Sequence, residues 1–456
     1  MHVAVACLDM TGHVAPLLPI MAELHARGHT VTAFLQDDAK YAKMLRDFGL
    51  AEVKIVPVKM PESLLKPSSN APRPGPLIIL SRGGPLAYQT APLFDAILKY
   101  THAPDLVVAD FFTPAAHDAA DALGVPSVVV FPNPLSLLPL LAPALRTRRL
   151  DPLRTAAASV AEAALARVLL ALRNRERSLR GLPPLAEQDL YPCAAMTRPF
   201  LVTTAIGFEY PHAVPPLCHF VGQSPPPKYP APSGELGRWL EEQTLPVVLV
   251  AFGTMHVFRQ KECRALLESL ERLAAEGRAA VLWALPHEQQ ALLPEGVRAS
   301  SAVRIEAFVP QFALLQHPKT CAFVSHCGAN SVGEALLAQT PIVCCPGMAD
   351  QPANAARLQS CGCGVLVPGG AGAGGVAAAV CQVLEDRAGF AQRLASMRQM
   401  IDEAGGAARA ADILEQVVSR GGDQLDGGVR RTPWGRRLLL GAVCGCTAAI
   451  ALRWHT

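Results

Sequence analysis

Two groups of residues in this chain join chemically useful side chains to positions where a fold can use them. The first is His326-Cys327-Gly328, which follows an apolar run at 322–325 and precedes Asn330, Ser331 and Glu334. A strand that runs through a glycine turn into a helix leaves that helix's first amides without partners, so the junction is an anion site. Gly328 lets backbone approach the anion, and His326 adds a side-chain donor. The second group is Thr11-Gly12-His13, after the opening apolar run, together with Asp110, which ends the run 106–110. Both stand at the carboxyl edge of one predicted sheet, where open α/β sheets bind ligands. Taken singly, His13 is equally a helix-start or packing residue, and Asn330, Ser331 and Glu334 are equally an N-cap and a first-turn acid. His117 and Asp118 lie inside the next helix, point elsewhere, and are read as structural or surface residues.

The elements that must position these groups come from the apolar pattern. Runs at 2–8, 30–36, 52–58, 105–109 and 126–131 read as strands and alternate with helical stretches at 15–27 and 114–123. They are Val-rich and continuous rather than alternating, as strands covered by helices on both faces are. From 134 to 220 the pattern loosens into a Pro/Leu segment, an arginine-studded helix at 153–181 and irregular chain. A proline-rich connection at 223–235 then separates the domains. Alternation restarts at 247–251 and continues through 279–284, 303–308, 321–325, 341–345 and 364–367, with helices from 376 to 419 closing the second unit. The expected division is 1–222, linker 223–235, 236–420, a polar spacer 421–437 and an apolar tail 438–452. The expected class is α/β, two doubly wound Rossmann-like domains facing a cleft.

Composition narrows the partners. Half of the 456 residues are apolar and 17% are charged, so the chain is globular rather than disordered. A formal charge of +3 spread along the chain is unlike the clustered field of a nucleic-acid binder, so no nucleic-acid partner is expected. The 13 cysteines are odd in number and sit in apolar stretches, which predicts reduced, packed thiols. Cys361 and Cys363 lack the spacing and the nearby histidine of a zinc site and are given no chemistry.

Phe308 and Gln311, then His317-Pro318-Lys319-Thr320, the turn 325–331 with Glu334, and Asp350-Gln351 with Asn354 recur in register over about sixty residues. This stretch resembles the donor-binding signature of family 1 UDP-glycosyltransferases, closer to animal and bacterial members than to plant ones. The resemblance implies a GT-B fold, a UDP-sugar co-substrate and no other cofactor. It implies that Phe308 and Gln311 hold the uracil, Glu334 the ribose hydroxyls, and Asp350 with Gln351 the sugar. Gly12, Thr254, His326, Gly328, Asn330 and Ser331 would then surround the diphosphate. His13 becomes the general base, and Asp110 would fix its tautomer and stabilise the imidazolium. Direct displacement with no protein nucleophile would invert the anomeric carbon. Where plant members often carry tryptophan, this chain has Phe308 and Ala329, so their rules of donor choice do not transfer directly, and UDP-glucose is the first expectation. No D-x-D triplet occurs, so no metal is expected; the helix start and His326 would meet the charge developing on UDP.

Two other readings compete. An NAD-type oxidoreductase would show G-x-G-x-x-G after the first strand and an acid ending the second, and neither is present. A sugar-nucleotide-binding or membrane scaffold protein without turnover would more plausibly have lost His13 and Asp110. The Pro/Leu composition of 60–90 and 134–215 points to a small apolar acceptor such as a sterol, phenolic or lipid. Because the chain opens directly on a strand, no signal peptide is expected. The uncharged run 438–452, flanked by Arg437 and Arg453, predicts a tail anchor in a membrane such as the endoplasmic reticulum with cytosolic catalytic domains, the alternative being a cytoplasmic protein.

Overall fold

The computed structural model describes residues 1–7, 11–36, 39–58, 90–135, 167, 170–171, 173–175, 177–185, 198–209, 217–226, 228–294, 303–369 and 375–419. The expected spacer and tail at 421–452 lie outside the described residues, as do most of the segments expected to shape the acceptor pocket. Among the described residues no helix is long and apolar enough to cross a membrane.

Two parallel sheets form the frame. The first contains β1 (His2–Ala6), β2 (Thr30–Gln36), β3 (Lys54–Val58), β4 (Leu106–Asp110), β5 (Ser127–Phe131), β6 (Phe200–Val202) and β7 (Cys218–Phe220), in the order β3-β2-β1-β4-β5-β6-β7. The second contains β8 (Val247–Ala251), β9 (Ala280–Ala284), β10 (Val303–Glu306), β11 (Thr320–Ser325), β12 (Ile342–Cys344) and β13 (Gly364–Leu366), in the order β10-β9-β8-β11-β12-β13. β4, β5 and β8 are buried at every residue, which is why they read as unbroken apolar runs. In each sheet the order reverses beside the first strand, between β1 and β4 and between β8 and β11. Both candidate groups therefore sit at switch points, on the carboxyl edges.

β6 and β7 were not expected. Three residues each, they are too short to carry a period, and they form because they extend an existing parallel ladder on β5.

The stretch expected as closing helices of the second domain is three helices, Val376–Glu385, Arg387–Glu403 and Gly406–Ser419. The last of these packs on the first domain instead. Ala410, Ile413, Leu414 and Val417 join the core containing Val3, Leu24 and Val31. Arg27 bonds Asp412 at 2.8 Å and Glu415 at 3.2 Å, and His29 bonds Glu415 at 2.8 Å. The expected boundary at 420 is thus corrected: the chain crosses back to the first domain after Gly405.

His117 and Asp118 are structural, and buried rather than on the surface. Asp118 is bridged by Arg173 at 2.7 Å, by Arg177 and by Arg180, which ties the helical segment around 170–180 to the helix Pro114–Leu123. The His117 imidazole bonds Ser127 Oγ at 3.1 Å, and burial holds it well below the ordinary histidine value. The ten described cysteines are free thiols.

Candidate active site

On the first domain, the turn after β1 carries Thr11–Val14 as one helical turn, which presents His13 toward the cleft. Its Nδ1 lies 2.6 Å from Asp110 Oδ2. Asp110 is 2% exposed at the end of β4, and its other oxygen accepts the Thr113 hydroxyl at 2.7 Å. The Phe112 ring stands edge-on to the imidazole, with centroids 5.1 Å apart. With an ionised carboxylate accepting at Nδ1, the Nδ1–H tautomer is favoured, which leaves the Nε2 lone pair free for an acceptor proton. Thr113 escaped the sequence reading; a hydroxyl three residues beyond a strand-end aspartate was its only signal.

On the second domain, β11 ends at Ser325, whose hydroxyl accepts the Cys327 amide at 3.1 Å. Cys327 is held at φ +66°, a left-handed conformation uncommon for a residue with a side chain. The His326 ring is wedged between two glycines: a Cβ on Gly253 would stand 2.8 Å from Nε2, and one on Gly328 would stand 2.6 Å from it. Burial, with His256 nearby, pushes His326 down to about 4, so near neutral pH the ring is uncharged and donates a single N–H. Its Nδ1 is buried with no partner among the described residues.

The helix expected to begin near Asn330 begins at Ala329 and runs to Leu337. Its first amide donates to Asp350 Oδ2 at 3.1 Å, and Val332 closes the first intrahelical bond on Gly328. The amides of Asn330 and Ser331 are those left for a phosphate. Thr254 is exposed in the loop after β8, next to the glycine that flanks His326.

The Nε2 of Gln311, expected at the uracil, donates to Glu334 Oε2 at 2.6 Å and lies 3.4 Å from Ser331 Oγ, which brings it beside the carboxylate expected at the ribose. Burial raises Glu334 to about 7 against the bond from Gln311. Phe308 stands 84% exposed, an aromatic face without a partner ring across it. Asp350 precedes the helix Gln351–Ser360. Burial pushes its carboxyl up, while hydrogen bonds from backbone amides and from Asn354 pull it down. Gln351 Oε1 accepts the Gly347 and Met348 amides at 2.9 and 3.0 Å, which folds the loop back on itself. Asn330 Nδ2 donates to the Gly12 carbonyl at 3.0 Å, joining the histidine turn directly to the anion turn. Among the described residues no cluster of three or more His, Cys, Asp or Glu could hold a metal ion.

The chain was compared with known proteins. Residues 184–398 match the family model described as UDP-glucoronosyl and UDP-glucosyl transferase. The chain is similar to UDP-glycosyltransferase stmC of Aspergillus ustus, 27% identical over 92% of this chain and 87% of that protein. It is also similar to zeaxanthin glucosyltransferase of Pseudescherichia vulneris, 26% identical over 92% and 98%. Among solved structures it shares the fold of a UDP-glucose:anthocyanidin 3-O-glucosyltransferase in complex with UDP, with TM-score 0.64 and 20% identity over 92% of this chain and 99% of that one. The family-model match over 184–398, the relatives spanning 92% of the chain and the shared two-domain fold support a family 1 UDP-glycosyltransferase, an enzyme that takes a sugar from a UDP-linked donor.

Proposed function

We propose that this enzyme transfers glucose from UDP-glucose to a hydroxyl of a small, largely apolar acceptor, with His13 as general base and inversion at the anomeric carbon. The observation that carries the reading is the 2.6 Å His13–Asp110 bond at a position linked to the donor turn through Gly12 and Asn330. The acceptor hydroxyl gives its proton to His13 Nε2 as its oxygen attacks the anomeric carbon. Asp110, anchored by Thr113, offsets the imidazolium charge that results. The bond from the anomeric carbon to the β-phosphate oxygen breaks, and charge collects on UDP, where the Asn330 and Ser331 amides and the His326 N–H receive it. No protein nucleophile intervenes, so one displacement turns an α-linked donor into a β-linked product. Proton NMR of the purified glucoside tests this. A large trans-diaxial coupling of the anomeric proton is expected, and an α-linked product would rule out direct displacement.

Support for glucose and for an apolar, hydroxylated acceptor comes from the relatives: proteins of similar sequence are named for glucosyl transfer to zeaxanthin and anthocyanidins. A panel of sterols, flavonoids and carotenols assayed for UDP release sorts the acceptor classes. UDP release with no member of such a panel would favour the scaffold reading.

The tail 438–452 is proposed as an anchor to a membrane such as the endoplasmic reticulum that leaves the catalytic domains in the cytosol. As a helix it spans about 22 Å against a bilayer core of about 30 Å, a gap that Arg437 and Arg453 can close by snorkelling. Chain ending at 421 is expected in the soluble fraction after expression in a eukaryotic cell, and the full chain in the membrane pellet. If both pellet alike, the anchor is elsewhere or absent.

A further inference from the structure

We infer that Asn354 is a positioning residue for sugar recognition, holding the Asp350 carboxylate in place through its side-chain amide. This rests on the reading that Asp350 contacts the sugar. Asn354 is 1% exposed, in the second turn of the helix Gln351–Ser360. Its Nδ2 lies 3.0 Å from Asp350 Oδ2, 3.2 Å from the Cys327 carbonyl and 3.4 Å from Asn133 Oδ1 of the first domain. Three oxygens around one atom fix the amide orientation, because the flipped amide would set oxygen against all three. Two N–H groups cannot fully serve three acceptors, and the distances favour Asp350 and Cys327.

The consequence is at Asp350. One of its oxygens, Oδ2, takes both the Ala329 amide at 3.1 Å and the Asn354 amide at 3.0 Å, so these two bonds orient the carboxylate whose second oxygen is left for the sugar in the proposed reading. The Cys327 turn has a further support in Ser325, whereas no other described side chain bonds the Asp350 carboxylate. Removing Asn354 therefore loosens the sugar contact more than the diphosphate turn.

The test uses the purified full chain with Asn354→Leu and, as a smaller replacement less prone to misfold, Asn354→Ser. UDP affinity and the KM for UDP-glucose are measured side by side. The expected result is a KM for UDP-glucose raised about tenfold, as for loss of a hydrogen bond to a charged group. UDP, which lacks the sugar, should bind within about twofold of wild type. On an Asp350→Ala background the Asn354 replacements should add nothing, since the group they position is gone. An unchanged KM, equal weakening of UDP and UDP-glucose, or additive losses in the double variant would each overturn the inference. If Asp350→Ala alone leaves the KM unchanged, the sugar reading of Asp350 fails and takes this inference with it.

Discussion

Two histidines facing the cleft differ in what surrounds them, and this sets their roles. His13 keeps a carboxylate on one nitrogen and an open lone pair on the other, whereas His326 is packed between Gly253 and Gly328 and kept neutral by burial. His326→Ala should raise the KM for UDP-glucose and lower kcat together, each by about tenfold or more, because the lost donor serves both bound UDP and the leaving group. Steady-state kinetics check it; a change in KM alone would confine His326 to ground-state binding. Glu334 supplies a pH signature. Its folded value of about 7 lies above the usual 4.5, so its stabilising contribution is present below about pH 4.5 and is lost as pH rises through 7. Donor binding runs the opposite way, since only the carboxylate accepts both ribose hydroxyl protons. UDP should bind more tightly at pH 8 than at pH 6. Glu334→Gln should flatten that dependence while melting higher than wild type at pH 8. Calorimetric titration and thermal unfolding read the two effects, and a flat wild-type binding profile would contradict the assignment.

At the scale of elements, the strand-turn-helix junction was legible because its parts are local: an apolar run, a glycine and an exposed first turn. Asp110 was legible for the same reason, as the last residue of a buried strand. Thr113 was not, because a lone hydroxyl three residues beyond an aspartate is a weak signal, and Asn354 was read only as part of the signature, since its bonds to the Cys327 carbonyl and Asn133 join segments distant in sequence. The bond from Gln311 to Glu334 was not legible, since spacing says nothing of which neighbour its amide will reach. β6 and β7 were missed because three residues carry no period. The glycines of the junction make a direct test. Gly328 has ordinary backbone angles, so Gly328→Ala acts only through the Cβ that would press on His326. It should cost about 1–3 kcal/mol of stability and raise the KM for UDP-glucose about tenfold. Thermal unfolding and kinetics together check it, and wild-type behaviour in both would mean that the ring can move aside freely.

Across the whole molecule, the helix Gly406–Ser419 was misread because an amphipathic pattern shows that a face is buried but not which sheet covers it. Its apolar face completes the first domain's core, so chain ending at 405 should be insoluble or unstable, whereas chain ending at 421 should keep wild-type transfer to a soluble acceptor. Full activity in the shorter chain would show the crossing to be dispensable. The proposed mechanism divides the work between the two domains: the second would grip UDP through the anion turn and Glu334, and the first would supply the base. His13→Ala measures this division most directly. UDP affinity by calorimetry should stay within about twofold of wild type, because most of the residues expected to hold the donor, among them His326, Ser331 and Glu334, belong to the second domain. Transfer from UDP-glucose should fall by about 10²- to 10⁴-fold, the usual contribution of a general base. Near-normal transfer by His13→Ala, with UDP binding intact, would contradict the mechanism and leave His13 a packing residue.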